Sequence, residues 1–166
     1  MMSGGAEPRE CIRRQLYAYC RAVDRLDAPL GYRVWHDDGT AHYGPMFNGT
    51  GRGFIDWVIE QHRGLEAHSH QIANVLIELD GDRASSEAYV TAALRARRDG
   101  RLLQIDVRGR YLDRWARRDG RWAIAHRDYI HDFDDVRIVA ASQAEGWGRR
   151  DREDLSYRLP GFGDAA

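Results

Sequence analysis

Three Asp-Gly pairs, Asp80-Gly81, Asp99-Gly100 and Asp119-Gly120, punctuate the second half of the chain, each between β-rich segments. Asp-Gly is a strong signal for a two-residue hairpin, because the turn that matches strand twist needs positive φ, which Gly adopts freely and Asp tolerates. The segments so joined read as strands over 71–79, 83–97, 102–115 and 122–129. The third alternates plainly. Leu103, Ile105, Val107, Gly109, Tyr111 and Trp115 share one face, and Gln104, Asp106, Arg108, Arg110 and Arg114 share the other. Consecutive strands with tight turns describe an antiparallel meander.

The first part of the chain has a helical texture. Ile12, Leu16, Tyr19, Cys20, Val23 and Leu26 recur at three- and four-residue intervals after Pro8, which predicts a helix over 7–27 ended by Ala28-Pro29. A short helix is expected over 30–36, a brief strand over 41–43, a turn at Phe47-Asn48-Gly49-Thr50-Gly51 and a helix over 52–64. Helices followed by a run of strands give an α+β class: N-terminal helices packed on a strongly curved antiparallel sheet, a cone that encloses a pocket. Residues 1–7 are expected to be disordered and 8–131 to form the domain. Residues 132–166 are acidic, then small and Arg-rich, and read as an irregular tail that covers the pocket or makes an oligomer contact.

A length of 166 residues fits one domain. The formal net charge of −1 removes the usual electrostatic case for nucleic acid or an anionic membrane. No apolar run approaches the ~20 residues of a membrane span, and the N-terminus shows no signal-peptide pattern, so the expected location is the cytoplasm. All 25 basic residues are Arg. Without Lys there is no Schiff-base chemistry and no Walker-type phosphate loop. Cys11 and Cys20 fall on one helix about 13 Å apart, too far for a disulfide, and read as reduced core thiols.

His68 and His70 form an HxH on one strand face, but a metal site needs a third ligand, and Glu78 lies eight residues beyond His70. No metal and no cofactor is expected. Asp24 sits in the apolar stretch Ala22-Val23-Asp24, on a face with Tyr17 and Cys20. A carboxylate there requires a partner. His70 could supply it, becoming an oriented base; alternatively Asp24 solvates the helix end and His70 lies on the surface. Arg127 falls, by alternation, on the face of Ala123 and Ala125, opposite Trp122 and Ile124. Two small neighbours leave room for a ligand whose developing charge Arg127 could stabilise, although it could equally be a solvated Arg. Tyr19 and Tyr43 are either phenol donors or core. Asn74 could orient a carbonyl or satisfy backbone, and Trp35, Met46, Phe47, Phe54, Trp57 and Tyr111 are candidate apolar walls.

The pattern Leu16-Tyr17-x-Tyr19-x4-Asp24-x2-Asp27, then Trp35 and Gly51-x-Gly53-x3-Trp57, resembles the SnoaL-like branch of the NTF2-like superfamily. The same holds for His70-x3-Asn74-x3-Glu78-x2-Gly81-Asp82-x-Ala84, Gly109-x-Tyr111-x-Asp113-Arg114, Arg118-Asp119-Gly120-x-Trp122-x-Ile124-x3-Asp128 and the tail fragment Asp154-Leu155-Ser156-Tyr157. The resemblance implies an NTF2-like (cystatin-like) cone. It also implies kinship with cofactor-independent lyases: scytalone dehydratase, bile acid 7α-dehydratase, hexachlorocyclohexane dehydrochlorinase and enzymes that release formaldehyde from lignin dimers. Their Asp–His dyad maps onto Asp24 and His70, a last-strand Arg onto Arg127, and pocket tyrosines onto Tyr19 and Tyr43. The dehydrochlorinase uses a helix-1 Lys that this chain lacks. The expected function is a cofactor-free lyase, of dehydratase or formaldehyde-eliminating type, acting on a hydrophobic ring-containing small molecule. A ketosteroid-isomerase-like activity and a non-catalytic ligand-binding module are the alternatives. The family further implies a homodimer or homotrimer.

Overall fold

A computed structural model describes residues 7–142 and 146–162. Three helices, α1 (Pro8–Asp24), α2 (Ala28–Arg33) and α3 (Gly51–Arg63), lie against six strands. These are β1 (Trp35–His42), β2 (Asn48–Thr50), β3 (Ala67–Asp80), β4 (Arg83–Arg98), β5 (Arg101–Arg118) and β6 (Arg121–Ile138). A 3-10 turn follows at Leu155–Arg158. The sheet order is β2-β1-β6-β5-β4-β3. The meander is antiparallel, but β1 runs parallel to β6, so the sheet is mixed rather than antiparallel throughout.

The turns follow their residues. Asp99 and Gly100 take φ of 48° and 73°, and Asp119 and Gly120 take 51° and 77°, the doubly positive pattern of type I′ hairpins. Between β3 and β4 the two loop residues are Gly81-Asp82, with positive φ on Gly81. In the core, Ile12, Leu16, Tyr19 and Val23 of α1 and Phe54, Ile55 and Ile59 of α3 meet Val90, Tyr111, Trp115 and Ile124 of the sheet. Gly51 lets α3 start against Trp35, since a Cβ there would lie inside the indole.

Several expected boundaries move, each for a tertiary reason. Helix α1 ends at Asp24, not 27, because Leu26 turns left-handed (φ 53°) and Asp27 becomes the cap of α2, accepting from Leu30 N at 3.1 Å. The helix expected over 30–36 stops at Arg33; Trp35 already pairs with Ile124. Strand β6 continues to Ile138, pairing with β5 as far as Leu103, so the irregular segment starts well after residue 132. The disorder expected over 1–7 concerns residues 1–6, which lie outside the described residues, and Glu7, which caps α1 by accepting from Glu10 N at 3.1 Å.

Three one-residue bulges interrupt the meander: one in β6 around Asp132, where Arg108 pairs with Phe133 and Gly109 with His131, and two that re-aim candidate site residues. The register of β3 against β4 shifts between Ala73 and Val75, with Asn74 at φ 41°. The inward face therefore passes from His68, His70 and Ile72 to Val75, Ile77 and Leu79. In β6, Trp115 pairs with Ile124 and Asp113 with Arg127, leaving one extra residue around Ala125. Arg127 thus shares the inner face with Ile124, where strict alternation put them on opposite faces.

Candidate active site

Asp24 is the last residue of α1, the negative end of the helix dipole, where a carboxylate needs donors. His70 supplies two. Its backbone N–H donates to Asp24 Oδ2 at 3.0 Å, and its Nδ1–H donates to Oδ1 at 2.7 Å. The side chains keep 14% and 9% exposure respectively, so the pair is enclosed but reachable. With Nδ1 donating, Nε2 carries the lone pair, and no described residue forms a hydrogen bond with it. The arrangement fixes the ring and leaves one nitrogen able to accept a proton.

Behind it lie two more imidazoles. The His62 ring stands 5.4 Å from His70, nearly parallel, and 4.6 Å from His68. Burial, then the neighbouring His70, pushes the His62 pKa down to about 3, so it stays neutral. His68 donates Nε2–H to the Val23 carbonyl at 3.0 Å and accepts at Nδ1 from Arg150 at 3.4 Å. Arg150 also donates to the His62 carbonyl at 2.9 Å. Among the described residues, no cluster of three or more His, Cys, Asp or Glu is placed to hold a metal.

A cavity of about 960 Å³ opens on Asp24 and His70. Tyr17, Cys20, Leu30, Ile72, Tyr157 and Phe162 give it apolar surface. Burial, then Asp24, pushes the Cys20 thiol up to about 12. The wall from the C-terminal segment is tied down at Asp27, whose Oδ2 accepts from Tyr157 OH at 2.7 Å and Arg152 Nη1 at 3.2 Å.

The expected walls are placed elsewhere. Trp35, Phe54 and Tyr111 are sealed in the core, and Phe47 and Trp57 pack on Phe54. Met46 is 48% exposed at a turn, and Asn74 is exposed at its bulge. None of the seven lines this cavity. Side-chain type marked them as apolar or polar correctly, but packing and the bulge decided where they went. Tyr157 and Phe162 were missed as walls; the only trace was the Asp154–Tyr157 fragment, which carries no periodicity.

Tyr19 and Tyr43 are also buried, their hydroxyls 3.1 Å apart, with Tyr43 stacked on Phe54 at 3.8 Å. Burial raises both phenols well above their ordinary value, so they remain protonated. Arg127 has no room for a ligand beside it: it is 0% exposed, with Tyr19 and Tyr111 rings at 4.4 and 3.9 Å. It makes a two-pronged ion pair with Asp113, Nε to Oδ1 at 2.6 Å and Nη2 to Oδ2 at 2.8 Å. Its Nη1 is buried without a hydrogen-bond partner among the described residues. Burial works against both charges; it raises the Asp113 carboxyl, while Asp113 and the phenols hold Arg127 protonated.

Solved structures share this architecture. A protein named as a candidate scytalone dehydratase from Novosphingobium aromaticivorans is 21% identical, with 82% of this chain and 95% of that one covered at a TM-score of 0.69. Hexachlorocyclohexane dehydrochlorinase LinA-type3 from Novosphingobium barchaimii is 17% identical, covering 83% and 94% at 0.66. The Kfla4162 protein from Kribbella flavida is 19% identical, covering 76% and 92% at 0.68. At these identities the likeness establishes the fold. No curated protein matches the sequence. The SnoaL-like domain model matches residues 5–128, three-quarters of the chain, and the protein therefore belongs to the SnoaL-like domain family with an NTF2-like cone fold.

Proposed function

We propose that the protein is a cofactor-independent lyase acting on a hydrophobic, ring-containing small molecule, with His70 as base and Asp24 as the group that orients it. The observation that carries this reading is the double hydrogen bond from His70 to Asp24 at the wall of a largely apolar cavity. The dehydratase and dehydrochlorinase named among the fold neighbours are consistent with it. His70 Nε2 takes a proton from carbon or from a substrate hydroxyl. The electron pair released forms the new double bond and expels the leaving group. Where that group is hydroxide, the imidazolium returns the proton and water departs. Where a hydroxymethyl hydroxyl is deprotonated, its oxygen pair becomes the C=O of formaldehyde and the C–C bond breaks. The pair from that bond forms the new double bond as an oxygen leaving group on the adjacent carbon departs with the proton from the imidazolium. Asp24 stabilises the imidazolium throughout. Arg127, neutralised by Asp113 and absent from the cavity wall, has a structural role in this reading.

Double-bond isomerisation is a second reading, favoured by the unpartnered Nε2 of His70 at the cavity wall, which can return the proton it takes to another carbon of the same substrate. Mass-resolved turnover of metal-stripped protein separates the readings, using ring-bearing alcohols, lignin-type dimers and hydroxysteroids. A product lighter by water or formaldehyde, lost in His70→Ala, is expected. An isobaric product supports the isomerase, and full turnover by His70→Ala removes His70 as the base. In either case we propose a homo-oligomer, as the family resemblance implies.

A further inference from the structure

The cavity beside the dyad carries an uneven charge. Five guanidinium groups line it, from Arg14, Arg21, Arg25, Arg33 and Arg152, against the carboxylates of Asp24 and Asp27. Three of the five have a carboxylate partner: Arg14 with Glu10 at 3.3 Å, Arg25 with Asp154 at 3.6 Å and Arg152 with Asp27 at 3.2 Å. Arg21 differs. Among the described residues no carboxylate lies within ion-pair distance of it. Its Nη1 donates to Ser156 Oγ at 3.0 Å, and its Nη2 is buried with no hydrogen-bond partner among the described residues. The guanidinium lies 4.5 Å from the Tyr157 ring and 5.1 Å from Phe162, which hold it in place. A desolvated N–H without an acceptor is an unfavourable arrangement that an anion would correct.

Arg21 stands three residues before Asp24, on the same face of α1. We infer that Arg21 anchors a carboxylate carried by the ring-containing substrate, presenting its planar fork at the cavity wall while the dyad acts on the same molecule. A guanidinium fork matches a carboxylate through two parallel hydrogen bonds, which a point charge could not do. Tyr157 and Phe162 then serve both as apolar wall and as support for that fork. The inference deepens the lyase reading and rests on it for the identity of the site.

The test is equilibrium binding to the full chain of 2-naphthoate, its neutral isostere 2-naphthamide, and 2-naphthyl phosphate. Wild-type protein is expected to prefer the carboxylate to the amide by about ten-fold or more. Arg21→Gln removes that preference, and Arg63→Gln, at an Arg outside the cavity and paired with Glu60, retains it. Equal affinities, no binding of the carboxylate up to its solubility limit, or a preference that survives Arg21→Gln overturns the anchor. Tighter binding of the phosphate than of the carboxylate overturns the assignment to carboxylates. Should Arg21→Gln fail to fold, Arg21→Lys keeps the charge without the fork; the preference then falls by about three-fold or more, and an unchanged preference refutes the fork. Binding is read without turnover, so the two readings fail separately. Full turnover by His70→Ala sinks the base and leaves the anchor standing, whereas a preference indifferent to Arg21 sinks the anchor alone.

Discussion

Replacing Asp113 by Leu would leave Arg127 as a fully buried cation facing no counter-charge. Both side chains are 0% exposed, and the two hydrogen bonds between them, at 2.6 and 2.8 Å, are the only ones the guanidinium makes among the described residues. Breaking a buried pair from one side typically costs about 3–5 kcal/mol. That is a large share of the roughly 5–15 kcal/mol that stabilises a domain. At about 2–4 °C per kcal/mol for a chain of this size, the melting temperature should fall by roughly 6–20 °C. Urea unfolding followed by Trp fluorescence reads the change, since Trp35, Trp115 and Trp122 are buried and Trp35 lies 5.7 Å from the guanidinium. The double variant Asp113→Leu/Arg127→Met should recover most of the loss, because a buried pair exchanged for apolar groups is close to neutral. A loss below about 1 kcal/mol in Asp113→Leu would refute the reasoning, since it would mean that solvent or a bound anion reaches Arg127.

Other perturbations give separate checks. His62 is neutral when folded and titrates near 3, against 6.5 as its ordinary value. Its contribution is complete above pH 6.5 and is lost as pH falls towards 3, by several kcal/mol, roughly 4–5 at full extent. His62→Phe should flatten the acid limb of a stability–pH curve, and an unchanged limb would put the proton uptake elsewhere. Gly51→Ala forces a methyl into the Trp35 indole and should cost about 1–3 kcal/mol; an unmoved urea midpoint would show that α3 shifts freely. Asp27→Asn weakens the anchors of Tyr157 and Arg152, so trypsin cleavage between 149 and 152 should accelerate about ten-fold. Unchanged cleavage would show that Asp154 and Arg150 suffice to hold the segment.

The architecture was legible because it rests on local chemistry. Asp-Gly turns, the period of α1 and the change from helical to alternating texture each act over a few residues; the second and third turns fall on their Asp-Gly pairs, and the first is displaced by one residue to Gly81-Asp82. Asp24 and His70 were also within reach, since a carboxylate among apolar residues on α1 must find a partner. What escaped was set by single-residue irregularities and by distant contacts. Alternation carried Arg127 to the wrong face because nothing in Ala123-Ile124-Ala125 announces an extra residue. Asn74 left the pocket for a similar reason. Trp35, Phe54 and Tyr111 have the composition of a binding wall, and only the packing of three helices on the sheet shows that they fill the core. Tyr157 belongs to the cavity because Asp27, 130 residues earlier, accepts its hydroxyl.

The extra residue at Ala125 decides which face of β6 Arg127 occupies. Side-chain direction in a strand is a matter of parity, so chain length there controls polarity as strictly as residue identity does. Removing Ala125 would restore strict alternation and turn the cation at 127 outward, with no change to any pocket residue. The core against this sheet can therefore exchange a buried charge for an apolar side chain through one codon gained or lost.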